Sequence, residues 1–376
     1  MAGRLKIMTV VGTRPEIIRL SRVIAAFESH ADHVLVHTGQ NYDYTLNGIF
    51  FDDLGIRRPD HVLDADTSSL GAVLGDVLRG TERVLLAERP DAMVVLGDTN
   101  SCISALMARR LKVPVYHLEA GNRSFDPNVP EEINRHVVDH VADYNLVYTE
   151  HSRRNLLAEG LHPSRVMLMG SPMREVLEHY AQRSAESGAL GRLGLRAGEY
   201  VLASAHREEN VDTSDRLRGV LDSLSAVGRA LDVPVLVSTH PRTRKRIEEH
   251  RLELGEHIRL HEPLGFHDYI ALQQSARCVV SDSGTIAEES AILGFPAVTI
   301  RDAIERPEAL DTGAIIATGL NPSDVVDAVQ LVLDQFAGAG HPAAPAEYDV
   351  ADSSRRVVNF IRSTVATHHQ RSGTRR

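Results

Sequence analysis

Charged side chains follow several short apolar runs that are typical of buried β-strands. Asp98 comes soon after the run Ala92–Leu96, and Glu119 follows the run Val113–Leu118. Arg14 stands just beyond the first such run of the chain. Open α/β sheets bind ligands at the carboxyl ends of their strands, so these side chains are candidates for one site. Carboxylates at neighbouring strand ends are suited to moving protons.

A second candidate site lies in the stretch Val279–Glu289, which reads as a strand end, a polar turn and a helix start. Ser283, Gly284 and Thr285 would leave backbone N–H groups unpaired at the positive end of that helix, which favours phosphate. Glu289 lies about one turn further on, at roughly 3.6 residues per turn. Its carboxylate could accept hydrogen bonds from paired sugar hydroxyls, so the stretch predicts a site for a diphosphate joined to a ribose.

Each feature also has a purely structural explanation. Serine and threonine are common N-caps, and Arg14 and Arg19 could be solvated surface arginines. Glu131 and Glu132 open a helix, where acids favour the helix dipole, and for these two alone capping would suffice. Capping does not explain why acids and arginines recur at successive loop ends.

The elements that position these residues form two successive runs of alternating strands and helices along the 376-residue chain. A single core rarely grows beyond about 250–300 residues, so we expect two domains. The sequence predicts two Rossmann-like, doubly wound α/β domains facing across a cleft, without the GxGxxG dinucleotide fingerprint. The expected divisions are an N-terminal domain with the sugar and the catalytic carboxylates (1–184), a UDP-binding domain (185–350), and a C-terminal helix packing across the interface with a frayed tail from His368 (351–376).

Composition excludes several classes of protein. The formal charge of −10 argues against a dedicated nucleic-acid binder. No apolar run approaches the ~18 residues of a membrane span, and the first residues lack the organisation of a signal peptide. Cys102 and Cys278 stand in apolar runs, as reduced core cysteines do. We therefore expect a cytoplasmic protein that binds neither membranes nor nucleic acid.

Together, these motifs are specific enough to indicate a family. The chain resembles the non-hydrolysing UDP-N-acetylglucosamine 2-epimerases, which have the two-domain GT-B architecture. The resemblance runs from about Lys6 to about Glu308, in eight segments that occur in the family's order. The segments are Gly12–Glu16, Gly97–Thr99, Glu119–Gly121, Pro130–Arg135, His206–Glu208, Asp282–Gly284, Glu288–Glu289 and Glu305–Glu308.

The resemblance implies interconversion of UDP-GlcNAc and UDP-ManNAc. The expected route is anti elimination of UDP to a 2-acetamidoglucal, followed by re-addition of UDP with inversion at C2. This chemistry needs a positioned base, a stabilised leaving diphosphate and more than one acid/base group. No cofactor and no metal are implied, and a homodimer is the expected assembly.

The resemblance also implies roles for individual residues. The implied catalytic residues are Asp98, Glu119, Glu131 and His206. The implied substrate-binding residues are Arg14, Arg19 (where many members carry lysine), Arg135, His240, Phe266 near the uracil, Ser283, Gly284, Thr285, Glu289 and Arg306.

Two departures from the family pattern limit these expectations. Regulated bacterial members carry a Gln-His-Arg-type segment where this chain has Gln40–Asp43, and they place an arginine within the stretch that is Leu63–Leu70 here. An allosteric UDP-GlcNAc site is therefore not predicted. Other segments resemble a branch that includes UDP-N-acetyl-L-fucosamine-forming enzymes, so a 2-epimerase of UDP-2-acetamido-2,6-dideoxy-L-talose remains an alternative. A GT-B glycosyltransferase, a nucleotide-sugar sensor and a hydrolysing epimerase are further alternatives.

Overall fold

A computed structural model describes residues 4–39, 48–126, 128–302 and 304–373 of the chain. The chain divides into two compact units. Unit 1 comprises residues 1–179 together with 347–376, and unit 2 comprises residues 180–346. The segment Gln40–Asp43, which bears on the predicted lack of an allosteric site, lies outside the described residues.

Unit 1 is built on a parallel sheet with helices in the connections. Its described strands are β1 (Lys6–Val11), β2 (Asp32–His37), β3 (His61–Val62), β4 (Ala92–Leu96), β5 (Val115–Leu118), β6 (Tyr144–Val147) and β7 (Val166–Leu168). Its described helices are α1 (Arg14–His30), α2 (Ile49–Asp53), α3 (Leu70–Glu88), α4 (Ala105–Arg110), α5 (Pro130–Val141), α6 (Glu150–Ala158) and α7 (Met173–Ala185), which runs into unit 2, followed near the C-terminus by α16 (Ser353–Thr364) and α17 (His368–Ser372).

The strand order of this sheet, β3-β2-β1-β4-β5-β6-β7, places three of the predicted loop ends side by side. β4 pairs with β1 on one side and with β5 on the other, in parallel register. All five residues of β4 are buried, as expected for a central parallel strand covered by helices on both faces. The turns after β1, β4 and β5, which carry Arg14, Asp98 and Glu119, therefore lie at adjacent positions on one sheet edge.

Unit 2 repeats this design with a second parallel sheet, in the order β10-β9-β8-β11-β12-β13. Its described strands are β8 (Val201–Ser204), β9 (Val235–Ser238), β10 (Ile258–His261), β11 (Cys278–Ser281), β12 (Ala297–Thr299) and β13 (Ile316–Ala317). Its described helices are α8 (Ala189–Leu193), α9 (Glu208–Val211), α10 (Ser214–Leu231), α11 (Pro241–Glu249), α12 (Phe266–Ser275), α13 (Ile286–Leu293), α14 (Pro307–Asp311) and α15 (Pro322–Ala339).

The C-terminal segment returns to unit 1. α16 packs against α1, and the Tyr116 hydroxyl on β5 lies 2.7 Å from Thr364 Oγ1. The expected frayed tail begins instead with a short helix, α17, whose first residue, His368, is buried. The His368 ring packs edge-on against Tyr144, which explains why this part of the tail is held. Packing of the C-terminal helix across a domain interface remains a prediction.

The predicted fold class, α/β with two doubly wound parallel sheets, is confirmed. Local sequence signals account for it, because buried β-branched runs end at glycine-containing turns and are followed by amphipathic helices. Within the described ranges, no helix is long and apolar enough to cross a membrane.

Candidate active site

Asp98 and Glu119 lie together at the sheet edge of unit 1, joined by buried arginines. Arg135 of α5 pairs with Asp98 through Nη2, and the same nitrogen lies 3.4 Å from Glu119 Oε1. Arg19 of α1 lies 2.8 Å from Glu119 Oε2, and its guanidinium lies 5.6 Å from the ring centre of Tyr148. The side chain of Asp98 is 18% exposed, whereas that of Glu119 is 9% exposed. The two guanidiniums hold both carboxylates in place at the sheet edge.

The backbone at Glu119 has a conformation that is costly for any residue but glycine. Its φ is 61°, in the left-handed region. Arg135 Nη1 donates to the Glu119 carbonyl, and two residues on, the Gly121 N–H donates to the buried carboxylate of Asp139 at 3.1 Å. Asn155 donates to the Gly121 carbonyl at 3.0 Å. These contacts hold the turn in a conformation that the chain would not otherwise prefer.

Glu16 organises the turn that carries Arg14. Its buried carboxylate accepts hydrogen bonds from the N–H groups of Gly12 (2.9 Å) and Thr13 (2.7 Å), and from Ser101 in the segment after β4. Burial raises the pKa of Glu16, and these hydrogen bonds oppose the rise. Arg14 begins α1, and its guanidinium lies 5.5 Å from the ring centre of Phe50. Glu16 therefore ties the first loop of the site to the loop that follows Asp98.

Glu131 stands in the first turn of α5, one helical turn before Arg135. Its side chain is half-buried and makes no hydrogen bond or ion pair with any residue that the structure describes. Helix α5 thus carries both the arginine of the carboxylate cluster and a separate acid. The structure brings Asp98, Glu119, Arg19 and Arg135 into contact, and it leaves Glu131 outside that network.

In unit 2, the turn after β11 differs from the expectation that its three N–H groups are unpaired. The Ser283 N–H donates to Ser281 Oγ at 3.0 Å, and the Thr285 N–H donates to Ser283 Oγ at 3.3 Å. Short hydroxyl side chains readily form such local bonds, and this corrects the prediction for Ser283 and Thr285. Of the three, the Gly284 N–H alone has no partner among the described residues.

Arginines supply the positive charge around Gly284. A Cβ at this position would lie 3.3 Å from Arg207 Nη2, 3.9 Å from Arg301 Nη1 and 3.9 Å from Arg306 Nε. Glu305 Oε1 lies 3.2 Å from Arg207 Nη1 and 2.8 Å from Arg301 Nη2, so one carboxylate holds both guanidiniums. Three guanidiniums around a turn without a side chain form a site suited to a diphosphate.

His206 is oriented by Asp282, the residue before this turn. The Asp282 carboxylate is fully buried and accepts hydrogen bonds from the N–H groups of His206 and Arg207 and from Asn210 Nδ2. Its Oδ1 lies 3.2 Å from His206 Nδ1. Burial alone would raise the pKa of Asp282, but His206 and these hydrogen bonds lower it. The His206 side chain is 37% exposed, so Nε2 can face solvent or a ligand.

The four remaining candidates of unit 2 each have a different setting. Glu289 is buried in α13, and its Oε2 accepts a hydrogen bond from Gln273 Nε2 at 2.6 Å. Arg306 Nη1 lies 2.6 Å from Glu288 Oε2. The Phe266 ring is buried and packs edge-on against Tyr180 and His267, so a nucleobase could reach this residue mainly through its backbone. His240 caps α11 by accepting the Arg242 N–H at 3.2 Å.

Sequence reasoning assigned no role to several residues that shape these sites: Glu16, Asp139, Arg207, Gln273, Asp282 and Arg301. Glu16 carried a usable signal, because a threonine followed three residues later by glutamate is a capping box. Arg207 and Asp282 lie inside segments that matched the family. Gln273 and Asp139 carry no such signal, because each is a polar residue in the last turn of a helix whose partner lies in another element, 16 and 18 residues away respectively.

Comparison with known proteins defines the family. The family model for UDP-N-acetylglucosamine 2-epimerase matches residues 25–362. The chain belongs to this family. It is similar to the solved UDP-N-acetylglucosamine 2-epimerase of Rickettsia bellii (43% identity, TM-score 0.90, 98% of each chain covered). It is also similar to the Methanocaldococcus jannaschii UDP-GlcNAc 2-epimerase crystallised with UDP-GlcNAc and UDP (34% identity, TM-score 0.88, 96% of this chain and 100% of that one).

The family also includes an enzyme named for a different sugar. The Pseudomonas aeruginosa UDP-2,3-diacetamido-2,3-dideoxy-D-glucuronate 2-epimerase is 36% identical over 335 residues, which covers 88% of this chain and 92% of that protein. The predicted family is thus confirmed. Its members, by their names, share inversion at C2 and differ in the sugar that they act on.

Proposed function

We propose that this protein interconverts UDP-GlcNAc and UDP-ManNAc. A base takes the C2 proton while the C1–O bond breaks and UDP leaves with the bonding electrons, so a 2-acetamidoglucal forms. UDP then attacks C1 again, and an acid returns a proton to the opposite face of C2. Family membership supports the reaction, and the relative crystallised with UDP-GlcNAc and UDP supports the choice of nucleotide-sugar.

The observation that carries the proposal is the cluster of Asp98, Arg135 and Glu119 at one sheet edge. The C2 proton is weakly acidic, so its removal needs a carboxylate held ionised and in place. Inversion requires acid/base groups on both faces of C2. Asp98 and Glu119 at two strand ends, together with Glu131 on α5, offer three such acids. We assign the acid/base roles to Asp98, Glu119 and Glu131, and assign positioning to Arg19 and Arg135.

We assign the leaving diphosphate to the turn at Gly284. Arg207, Arg301 and Arg306 would neutralise the charge that develops on UDP as the C1–O bond breaks. Asp282 holds Nδ1 of His206, which leaves Nε2 for a phosphate oxygen. Glu289, fixed by Gln273, would accept the ribose hydroxyls, and Arg14 would bind the sugar nucleotide from unit 1. Phe266 and His240 would contact the nucleotide as well.

A second candidate differs in the sugar and keeps the same chemistry. The similarity to an enzyme for a diacetamido-dideoxyglucuronate favours testing sugars that vary at C3 and C6. The segments shared with UDP-N-acetyl-L-fucosamine-forming enzymes favour the 6-deoxy-L-talose substrate in the same way. Neither possibility changes the assigned acid/base groups.

The test is an incubation in D2O followed by proton NMR, run in parallel on the three UDP-sugars. With UDP-GlcNAc we expect loss of the C2 proton signal and appearance of UDP-ManNAc, because the returned proton comes from solvent. Absence of both exchange and manno product would refute this substrate. Exchange with another sugar alone would transfer the assignment to that sugar, and free UDP formed in equal amount to consumed substrate would indicate hydrolysis.

We also propose that the enzyme is a homodimer. Ile133 and Val137 lie four residues apart on one face of α5 and are 63% and 41% exposed, and Leu106 on the neighbouring α4 is 37% exposed. Exposed apolar side chains on adjacent helices favour a second copy as the partner. Light scattering of the wild-type protein should give twice the chain mass, and Ile133→Lys should give the monomer; a wild-type monomer at micromolar concentration would overturn the assignment.

We propose the cytoplasm as its location. Cys102 and Cys278 are both buried and unpaired, and free thiols persist in a reducing compartment. Cell fractionation with an antibody should recover the protein with cytoplasmic enzymes; recovery in an extracellular fraction would contradict this.

A further inference from the structure

Gln273 stands near the end of α12, and its side chain is completely buried. Leu272 and Ala276, close to it along the chain, and Ala287 of α13 belong to the apolar core of unit 2. Burying an amide beside apolar groups costs free energy unless the amide is hydrogen-bonded. A glutamine at this place therefore needs a polar partner, and α13 supplies one.

The partner of this amide is the carboxylate that we assign to the ribose. Gln273 Nε2 donates to Glu289 Oε2 at 2.6 Å, and Glu289 is 8% exposed. The direction of the amide follows from this contact, because a flipped amide would place two acceptor oxygens against each other. Gln273 Oε1 has no hydrogen-bond partner among the residues that the structure describes. The bond to Glu289 is therefore the interaction that the buried amide makes there.

A neutral donor affects a carboxylate differently from a cation. Glu288, one residue earlier on α13, lies 2.6 Å from the guanidinium of Arg306 through its Oε2, and this pairing offsets its charge. The amide of Gln273 holds Glu289 in place and leaves the negative charge of that carboxylate intact. A charged acceptor forms shorter and stronger hydrogen bonds with hydroxyl groups than a neutral one. Gln273 thus orients Glu289 for hydroxyl donors without weakening it as an acceptor.

We propose that Gln273 is a positioning residue that gives the nucleotide site its preference for ribose over 2′-deoxyribose. The 2′ and 3′ hydroxyls of a ribose can both donate to one carboxylate only when the plane of that carboxylate is aligned with them. Gln273 sets this plane by holding Oε2 of Glu289. A 2′-deoxyribose lacks one of the two donors, and a site built for both discriminates against it. This role rests on the proposed assignment of the ribose to Glu289.

The test is calorimetric titration of the full-length protein with UDP and with 2′-deoxy-UDP, which requires no turnover. We expect the wild-type protein to bind UDP about 10-fold more tightly than 2′-deoxy-UDP, because the 2′ hydroxyl bonds to a charged group. Gln273→Met keeps an unbranched side chain of similar length and removes the donor. UDP affinity should then fall about 10-fold, while 2′-deoxy-UDP affinity should stay within about threefold.

The matched control is Gln274→Met, at the next position of α12, where the side chain is exposed. Both affinities should remain at their wild-type values in this variant. Urea unfolding of the two variants shows whether each is folded before titration. Should Gln273→Met fail to fold, Gln273→Leu takes its place, because it also lacks the donor and adds no bulk.

A ratio of the two affinities that falls to about 3 or less at position 273, and not at position 274, supports the proposal. An equal loss of affinity for both nucleotides overturns it, because a purely structural role would weaken the site as a whole. Equal binding of UDP and 2′-deoxy-UDP by the wild-type protein also overturns this inference, and it leaves the proposed epimerase activity untouched. Absence of UDP binding would contradict the proposed nucleotide site and this inference with it.

Discussion

At the scale of single residues, the site depends on carboxylates that buried partners hold in place. Glu119 adopts a left-handed backbone conformation, which costs a non-glycine residue on the order of 1–3 kcal/mol. Arg19 and Arg135 contact its carboxylate, and Arg135 also binds its carbonyl oxygen. The strain is therefore offset by contacts that also fix the direction of the acid.

Replacement of Asp98 tests the proton chemistry. Asp98→Asn keeps the shape of the side chain and removes the basic oxygen, so we expect C2 exchange in D2O to slow by about 10²–10⁴-fold. UDP affinity, measured by calorimetry, should stay within about threefold, because the assigned diphosphate groups belong to unit 2. The control is Asp222→Asn, an exposed position on α10. Exchange at the wild-type rate in Asp98→Asn would remove this residue from the mechanism.

Replacement of Asp282 tests the orientation of His206. Asp282→Asn removes the charge that attracts Nδ1 and leaves an amide that can face either way. We expect kcat to fall by roughly 10- to 100-fold, because the orientation and tautomer of His206 are no longer set. His206→Asn in the same background should add little further loss. Fully additive losses would show that the two residues act independently.

At the scale of elements, the turns after β1 and β5 of unit 1 are bonded to neighbouring loops and helices. The turn after β1 is held by Glu16, which also binds Ser101 after β4. The turn after β5 is held by Asp139 of α5 and Asn155 of α6. Local hydrogen bonds would let each loop move alone, whereas these contacts make the sheet edge one connected structure.

Gly121 should be the most sensitive point of this edge. Its φ is +78°, and a Cβ there would lie 2.4 Å from the Ser152 carbonyl oxygen. We expect Gly121→Ala to lower the free energy of unfolding by about 3 kcal/mol or more and to reduce kcat, because the backbone beside Glu119 must shift. Gly160→Ala is the control, since its φ is +88° with open space around it, and about 1 kcal/mol is expected. Urea unfolding measures both; equal losses would contradict the steric argument.

At the scale of the whole molecule, buried carboxylates in both units make the free energy of unfolding depend on pH in the acidic range. Asp139 in unit 1 and Asp282 in unit 2 have pKa values lowered below the ordinary aspartate value, despite complete burial. Their contribution is fully present above the unfolded pKa of about 3.9 and is lost as the pH falls through the folded values. Glu16 acts in the opposite sense, because burial raises its pKa.

We expect urea midpoints to change little above about pH 7 and to fall between about pH 6.5 and pH 4, because burial lowers the pKa of His33 and His37 on β2 to about 4. Below about pH 4 they should fall further, as Asp139 and Asp282 become protonated. Asp282→Asn should have a shallower decline, because one of the two buried aspartates no longer titrates. Asp76→Asn is the control: its carboxylate pairs with the exposed Arg79, and such surface pairs contribute little. A midpoint that is independent of pH down to pH 3 would contradict the prediction.

The sequence by itself determined the two parallel sheets and the strand-end positions of Arg14, Asp98, Glu119 and the Gly284 turn. These depend on local signals, namely apolar runs, glycine turns and helical periodicity, which act over a few residues. Motif order also determined the family.

Only the tertiary structure decided which side chains meet. Arg135 reaches Asp98 across 37 residues, and Asp282 reaches His206 across 76. Such pairs depend on strand order, because β4 lies between β1 and β5, and β11 beside β8. Burial then requires each polar group to find a partner among whatever the neighbouring strands and helices present. For this reason the donors around Gly284 proved to be chiefly arginines from other loops.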